Sequence, residues 1–247
     1  MMPMFEAWHK KRPEPFMVIL DEIDKFFPSR ELKDSEAILS EYVKFFKVIR
    51  SLAQSYQCLT TLVVAYRPHI NRHNLLTPSV GENPMFKSFQ EEYLGFLSPK
   101  DTKSMIQEIG MWKDIVWDDD AAERVFYYCG GHPLVCRYFA SMACKGGSLK
   151  HIDMERVEFV ADDVVKTFRK NDIGNYYKEA VWALLTEHEH EVLAEICKKS
   201  DIITHTSEDH QDALINLERF GLVRTENNMS CLTANLFDSW LRGRLGI

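Results

Sequence analysis

Two adjacent carboxylates, Asp21 and Glu22, follow an unbroken apolar run, Phe16-Met17-Val18-Ile19-Leu20. Continuous rather than alternating apolarity is what a parallel strand covered on both faces requires, so the run predicts a strand buried on both sides. Acids at the carboxyl end of such a strand lie where open α/β sheets bind ligands. There the first carboxylate can hold a hard cation such as Mg2+. The second can polarise an attacking water as a general base. A strand that merely ends in solvated acids would leave the same letters, and the local pattern does not separate the two.

Two further groups follow in chain order. Leu59-Thr60-Thr61-Leu62-Val63-Val64-Ala65-Tyr66 leads into Arg67-Pro68. A cation at the tip of a neighbouring strand can reach a terminal phosphate and report its presence, although a single arginine after a strand is more often a surface residue. Gly130-Gly131-His132-Pro133-Leu134 then separates two helical stretches. The glycines release one helix and the proline starts the next. Helix punctuation alone would also account for that turn.

The elements that must position these groups are legible from periodicity. Between the two apolar runs, residues 35–57 carry Ile38, Leu39, Tyr42, Val43, Phe46, Ile49 and Leu52 at helical spacing. Strand, helix and β-rich run in this order predict a βαβ crossover and a parallel sheet. Residues 67–89 read as loop, and Glu92-Tyr93-Leu94-Gly95-Phe96-Leu97 reads as a short third strand. Ser98-Pro99 supplies a helix cap and first turn. Helices are predicted over 100–110, from Asp118 or Asp119, from Pro133, and over 154–170, with Gly146-Gly147 breaking the third from the fourth. The tail shows helical patterns at 177–185, 189–199 and 207–220. A hairpin follows around Glu226-Asn227-Asn228, then a helix over 236–245 that carries Trp240. This tail matches a winged-helix module. The expected organisation is a partial α/β core over 1–97, a helical lid over 98–172 and a winged helix over 173–247.

Asp21-Glu22, Arg67 and Gly131-His132-Pro133, in this order, together resemble the STAND branch of AAA+-like P-loop NTPases, particularly archaeal and bacterial AAA-like ATPases. The resemblance runs from Phe16 to Arg244, and the closing Leu236-Phe237-Asp238-Ser239-Trp240-Leu241-Arg242 is similar to the end of that family's winged helix. It implies ATP or ADP with Mg2+ bound between core and lid. Asp21 would organise the metal as the Walker B acid, Glu22 would activate water, and Arg67 would sense the γ-phosphate. Gly131, His132 and Pro133 would form the turn against the adenine, with Pro133 as the contact. The implied function is a nucleotide-dependent switch in signalling or defence that controls oligomerisation and an effector.

One departure is large. None of the eleven glycines is followed by Lys-Ser or Lys-Thr, so the chain has no G-x-x-x-x-G-K-[ST] loop. The phosphate cradle needs the backbone N–H groups and lysine of such a loop. Only 15 residues precede the acidic strand, which implies that the first core strand is also missing. The expectation is a distal part of an ATPase, inactive alone, that is completed by an upstream segment or a partner chain or else is a degenerate remnant.

Other signals carry less. His188-Glu189-His190-Glu191 looks metal-like, but positions i and i+2 on a helix face different ways. Cys129, Cys136 and Cys144 are interrupted by Gly130-Gly131 and Pro133, and His205 and His210 have no third ligand in view. Nucleophilic catalysis lacks a G-x-S-x-G. DNA binding of the origin or transposition type shares the same layout and is the alternative, as is a non-catalytic interaction protein on this scaffold. From Lys178 to Ile247, however, seven basic residues face twelve acidic ones, the wrong sign for phosphate contact. The whole chain has 30 Lys plus Arg against 37 Asp plus Glu, a net charge of −7. Its hydrophobic share of 45% excludes a disordered polyelectrolyte. Six cysteines without a C-x-x-C predict reduced thiols and a cytoplasmic protein. No apolar run approaches the roughly 18–20 residues of a membrane span.

Overall fold

Strand β1 forms over Phe16–Leu20 and pairs in parallel with β2, Leu59–Val63. Phe16 lies opposite Leu59 and Leu20 opposite Val63. In this computed structural model the described residues are 14–23, 35–56, 59–65, 75–77, 81–82, 89–145, 150–199, 208–227 and 229–247, with Ala7 and Lys10. Arg67, Cys58, Gly146, Gly147 and His205 lie outside them. The chain divides into two compact units, Met1–Glu91 and Glu92–Ile247.

In the first unit, helix α1 (Ser35–Tyr56) makes the crossover between the two strands. Its apolar face buries Tyr42, Val43, Phe46, Ile49 and Leu52. Ile23 joins Tyr42, Val43 and Phe46 in a small core, with Leu20, Phe45, Val63 and Phe89 packed at its margin. A short antiparallel pair, β3 (Leu75–Thr77) and β4 (Gly81–Glu82), interrupts the stretch read as loop.

The strands are not buried on both faces as the apolar run predicts. Exposure alternates along them: Met17 is 57% exposed, Ile19 61% and Leu62 47%, with Val64 just beyond β2 at 41%. Side chains of successive strand residues point to opposite faces. One face meets α1, and among the described residues nothing covers the other. The run is continuous in its letters, but among the described residues it is buried on one face only.

In the second unit, residues 92–98 form an extended strap and not the predicted third strand. The Leu97 amide donates to the Gly131 carbonyl at 2.9 Å, a tie to a turn and not to a strand ladder. Helix α2 (Pro99–Met111) starts as expected. Ser98 caps it, its side chain accepting the Asp101 amide, and proline fills the first turn. Helices α3 (Asp119–Cys129), α4 (Pro133–Ala143) and α5 (Met154–Thr167) follow. A two-residue parallel pair, β5 (Val116–Trp117) and β6 (His151–Ile152), ties the starts of α3 and α5 together. It is too short for any periodicity to reveal.

Helix α6 (Asp172–Tyr176) is capped by Asn171. The predicted helix over 177–185 is instead a π-helical turn, Tyr177–Val181, followed by a 3-10 turn, Trp182–Leu184. Helices α7 (Glu187–Lys199) and α8 (Glu208–Arg219) come next. The hairpin of β7 (Val223–Glu226) and β8 (Met229–Leu232) precedes the closing helix α9 (Asn235–Leu245). Asn227 takes the left-handed conformation (φ 53°) that the Asn-Asn signal anticipates. The expected division at 172/173 falls inside this unit, where a single core unites Phe139, Ile152 and Val164 with Ile173, Leu217 and Phe237. The two units together form a mostly helical α/β structure with small parallel sheets.

Candidate functional site

The acid pair sits at a pinned bend. Beyond β1 the backbone pairing continues, with the Val64 amide donating to Leu20 O (2.8 Å) and the Ile23 amide to Val64 O (3.2 Å). Asp21 and Glu22 lie between those two ties. Glu22 is left-handed, with φ 50°, a conformation that costs a residue with a Cβ roughly 1–2 kcal/mol. It persists because Ile23 is held: its side chain is buried, and its carbonyl accepts a hydrogen bond from the Tyr42 hydroxyl of α1 at 3.1 Å. Over-determination of this kind is how strained backbone is kept at functional positions. The Glu22 amide donates to Asp21 Oδ1 at 2.8 Å, which orients the first carboxylate. Both acids are exposed. Two solvent-facing carboxylates at the end of a parallel strand are a donor set that fits Mg2+, which takes one or two carboxylates alongside phosphate oxygens and water.

In the second unit the Gly130-Gly131-His132-Pro133 turn is tightly built. Helix α3 ends on Gly130, whose amide donates to Phe126 O at 2.7 Å. Gly130 and Gly131 are both left-handed, at φ 62° and 77°. His132 then caps α4, its Nδ1 accepting the Val135 amide at 3.4 Å. The ring proton is thereby assigned to Nε2, which lies 2.7 Å from the Tyr176 hydroxyl. Phe96 packs edge-on against the same imidazole, with ring centroids 4.7 Å apart. Pro133 is exposed, whereas Gly131 is buried and His132 half-buried. A narrow crevice beside the turn is lined by Phe96, Cys129, His132, Tyr177 and Phe237. The Tyr177 hydroxyl is buried there without a hydrogen-bond partner. Burial pushes both the Tyr177 hydroxyl and the Cys129 thiol well above their ordinary pKa values, so neither ionises at neutral pH.

Burial also pulls the His132 pKa down to about 4 from 6.5. The unfolded chain takes up this proton near 6.5 while the folded one resists until about 4. Between those values the unfolded state binds more protons, so the contribution to stability is full above the upper value and is lost as pH falls toward the lower. Denaturant midpoints at pH 7 and pH 4.5 (the second chosen inside that window) should fall more for the native chain than for His132→Gln. Equal falls would show that the imidazole does not titrate on unfolding.

Asp21 and Glu22 thus belong to the first unit and Gly131, His132 and Pro133 to the second, while Arg67 lies outside the described residues. Tyr42, Tyr176 and Phe96 position these groups, and nothing in the sequence marks them beyond apolar periodicity. Among the described residues no group of three or more His, Cys, Asp and Glu is arranged to hold a metal. The His188–Glu191 stretch is explained by helix capping. The Thr186 hydroxyl accepts the Glu189 amide at 3.3 Å, and Glu189 Oε2 accepts the Thr186 amide at 2.8 Å, a reciprocal capping box. His190 stacks on Trp182, with centroids 3.7 Å apart. No helix among the described residues is long and apolar enough to cross a membrane.

No family model matches the chain, and no curated protein does. Solved structures do match. A Walker-type ATPase of Pyrococcus abyssi is 13% identical with a TM-score of 0.51, over 92% of this chain and 63% of that one. The ORC2 protein of Aeropyrum pernix, in ADPNP–ADP complexes, is 14% identical with a TM-score of 0.46, over 97% of this chain and 68% of that one. The RuvB Holliday junction branch migration motor of Thermotoga maritima is 15% identical with a TM-score of 0.40, over 87% and 66%. The chain therefore spans somewhat under two thirds of the length of the Pyrococcus and Thermotoga proteins. The likeness to the Pyrococcus protein shows a P-loop ATPase-like fold.

Proposed function

We propose that this chain is the distal part of a STAND-type nucleotide-dependent switch in signalling or defence, with a helical lid over 98–172 and a winged helix over 173–247. The observation that carries the reading is the acid pair at the carboxyl end of a parallel strand, with Glu22 pinned in a left-handed bend. Asp21, oriented by the Glu22 amide, holds the hydrated Mg2+ of ATP or ADP. Glu22 accepts a proton from the attacking water, and Arg67 meets the γ-phosphate. Gly131 and His132 shape the turn whose exposed Pro133 meets the adenine. Mg2+, when bound, supplies charge neutralisation for the phosphates.

The phosphate loop comes from a segment or partner polypeptide outside these 247 residues. The uncovered face of Met17, Ile19, Leu62 and Val64 supports that reading, because parallel strands are normally covered on both sides. Homo-oligomerisation of the completed assembly is part of the same proposal. DNA is not the partner proposed, since α8 presents exposed Glu208, Asp209, Asp212 and Glu218 beside Arg219.

ATP titrations with Mg2+, on this chain alone and together with a phosphate-loop segment, test the reading. Binding is expected only in the second case. Within that assembly Glu22→Gln should slow hydrolysis about a hundredfold, the lower range of general-base effects, with nucleotide affinity little changed. Absence of Mg2+-dependent binding in the completed assembly overturns the switch, and unchanged turnover removes Glu22 from its role.

A further inference from the structure

The strap 92–98 touches two turns that are far apart in sequence. At one end the Tyr93 ring lies 6.4 Å from that of Phe220, with the Arg219 guanidinium 5.4 Å from the Tyr93 centroid. At the other end the Leu97 amide is bonded to Gly131 O. Between them Phe96 serves both sites. Its ring packs on His132, and it presses so closely on Gly221 that a Cβ there would come within 2.8 Å of the ring. Leu94, by contrast, is 95% exposed.

We propose that residues 92–98 are a clasp that fixes the α3–α4 turn to the α8–β7 turn, so that displacement of either is delivered to the other through Phe96. The physical reason is packing. Gly131 and Gly221 have no side chains to yield, and an aromatic ring wedged between their turns is close to incompressible. Strap and turns therefore move together or separate altogether. Arg219 ends α8 and Phe220 follows it, so the clasp connects the proposed adenine-facing turn to the helix and hairpin of the C-terminal segment. Its use as a regulatory coupling rests on the nucleotide-switch reading; the clasp itself does not.

Amide hydrogen exchange on the full chain without nucleotide tests it. Phe96→Ala should speed exchange about tenfold or more at Gly130 and at Gly221 and Leu222 alike, while Leu94→Ala leaves both turns unchanged. Tyr93→Ala removes a partly exposed ring and is the milder variant. It should speed exchange of the Leu97 amide, four residues along the strap, several-fold. A Phe96→Ala effect confined to one turn overturns the clasp, as does an unchanged Leu97 amide in Tyr93→Ala. Should Phe96→Ala not fold, Tyr93→Ala decides alone. Because these measurements are made without nucleotide, a failed clasp leaves ATP binding untouched, and a failure to bind ATP leaves the clasp standing.

Discussion

Gly131→Ala should destabilise the second unit by roughly 4 kcal/mol or more, among the largest effects of any single substitution. Two costs add. The left-handed backbone at φ 77° is unfavourable once a Cβ is present, by roughly 1–2 kcal/mol. The new methyl would also sit 2.1 Å from the Leu97 carbonyl oxygen and 3.0 Å from Phe126 Cε2. The oxygen belongs to a backbone that cannot swing aside, because the adjacent Leu97 amide is bonded to Gly131 itself. Relief therefore requires breaking that bond and lifting the strap. Urea unfolding of the purified chain measures the loss. Gly95→Ala, in the same strap with nothing within 4 Å of its added methyl, should move the midpoint little. Equal midpoints for Gly131→Ala and the native chain would show that the turn is not a packed junction.

Phe237→Ala should cost about 4 kcal/mol, in the range for a fully buried phenylalanine. Phe237 is 1% exposed, stacks on Trp240 at 6.0 Å and meets Tyr177 at 5.1 Å. Tyr177 opens the π-helical turn that joins the helices before it to the C-terminal segment, so the cavity opens at the seam between them. The shape of the transition matters as much as the midpoint. If the core is continuous across 172/173, the second unit should still unfold in one step, at lower denaturant. A split into two transitions would mean that the stretches on either side of the seam are stable separately. In that event the boundary read from the sequence would be a true domain boundary.

The contrast shows what periodicity encodes. Helices α1 to α5 were legible because their apolar spacing and caps are local. Ser98-Pro99, the aspartates before α3 and His132-Pro133 mark helix starts within a residue or two of where they fall. The bend at Glu22 was not legible. Nothing local makes a glutamate left-handed; what holds the residue after it, Ile23, is burial, the Val64 carbonyl and the Tyr42 hydroxyl of the following helix. The π-helical turn carries the letters of an ordinary helix for a similar reason. Its apolar pattern is helical, and only the aromatic packing of Tyr177 against Phe237 and Trp240 shows how the extra residue is accommodated. The strap forms no strand because the partner its Leu97 amide finds is the Gly131 turn and not a ladder. His188 to Glu191 look metal-like because a capping box and a metal motif draw on the same residue types, although helical spacing already argues against a shared metal. For the acid pair, the strand that carries it is legible in the sequence and the bend at Glu22 is not.

The bare side of the β1–β2 pair has a consequence for the molecule's life in a crowded compartment. Among the described residues, four large apolar side chains on the open face of a short two-stranded ribbon are an adhesive for other apolar surfaces and for chaperones. A chain released before that side is covered would be exposed to proteostatic triage, its survival set by how soon it is capped. Abundance would then follow supply of the capping element, and surplus copies would be cleared.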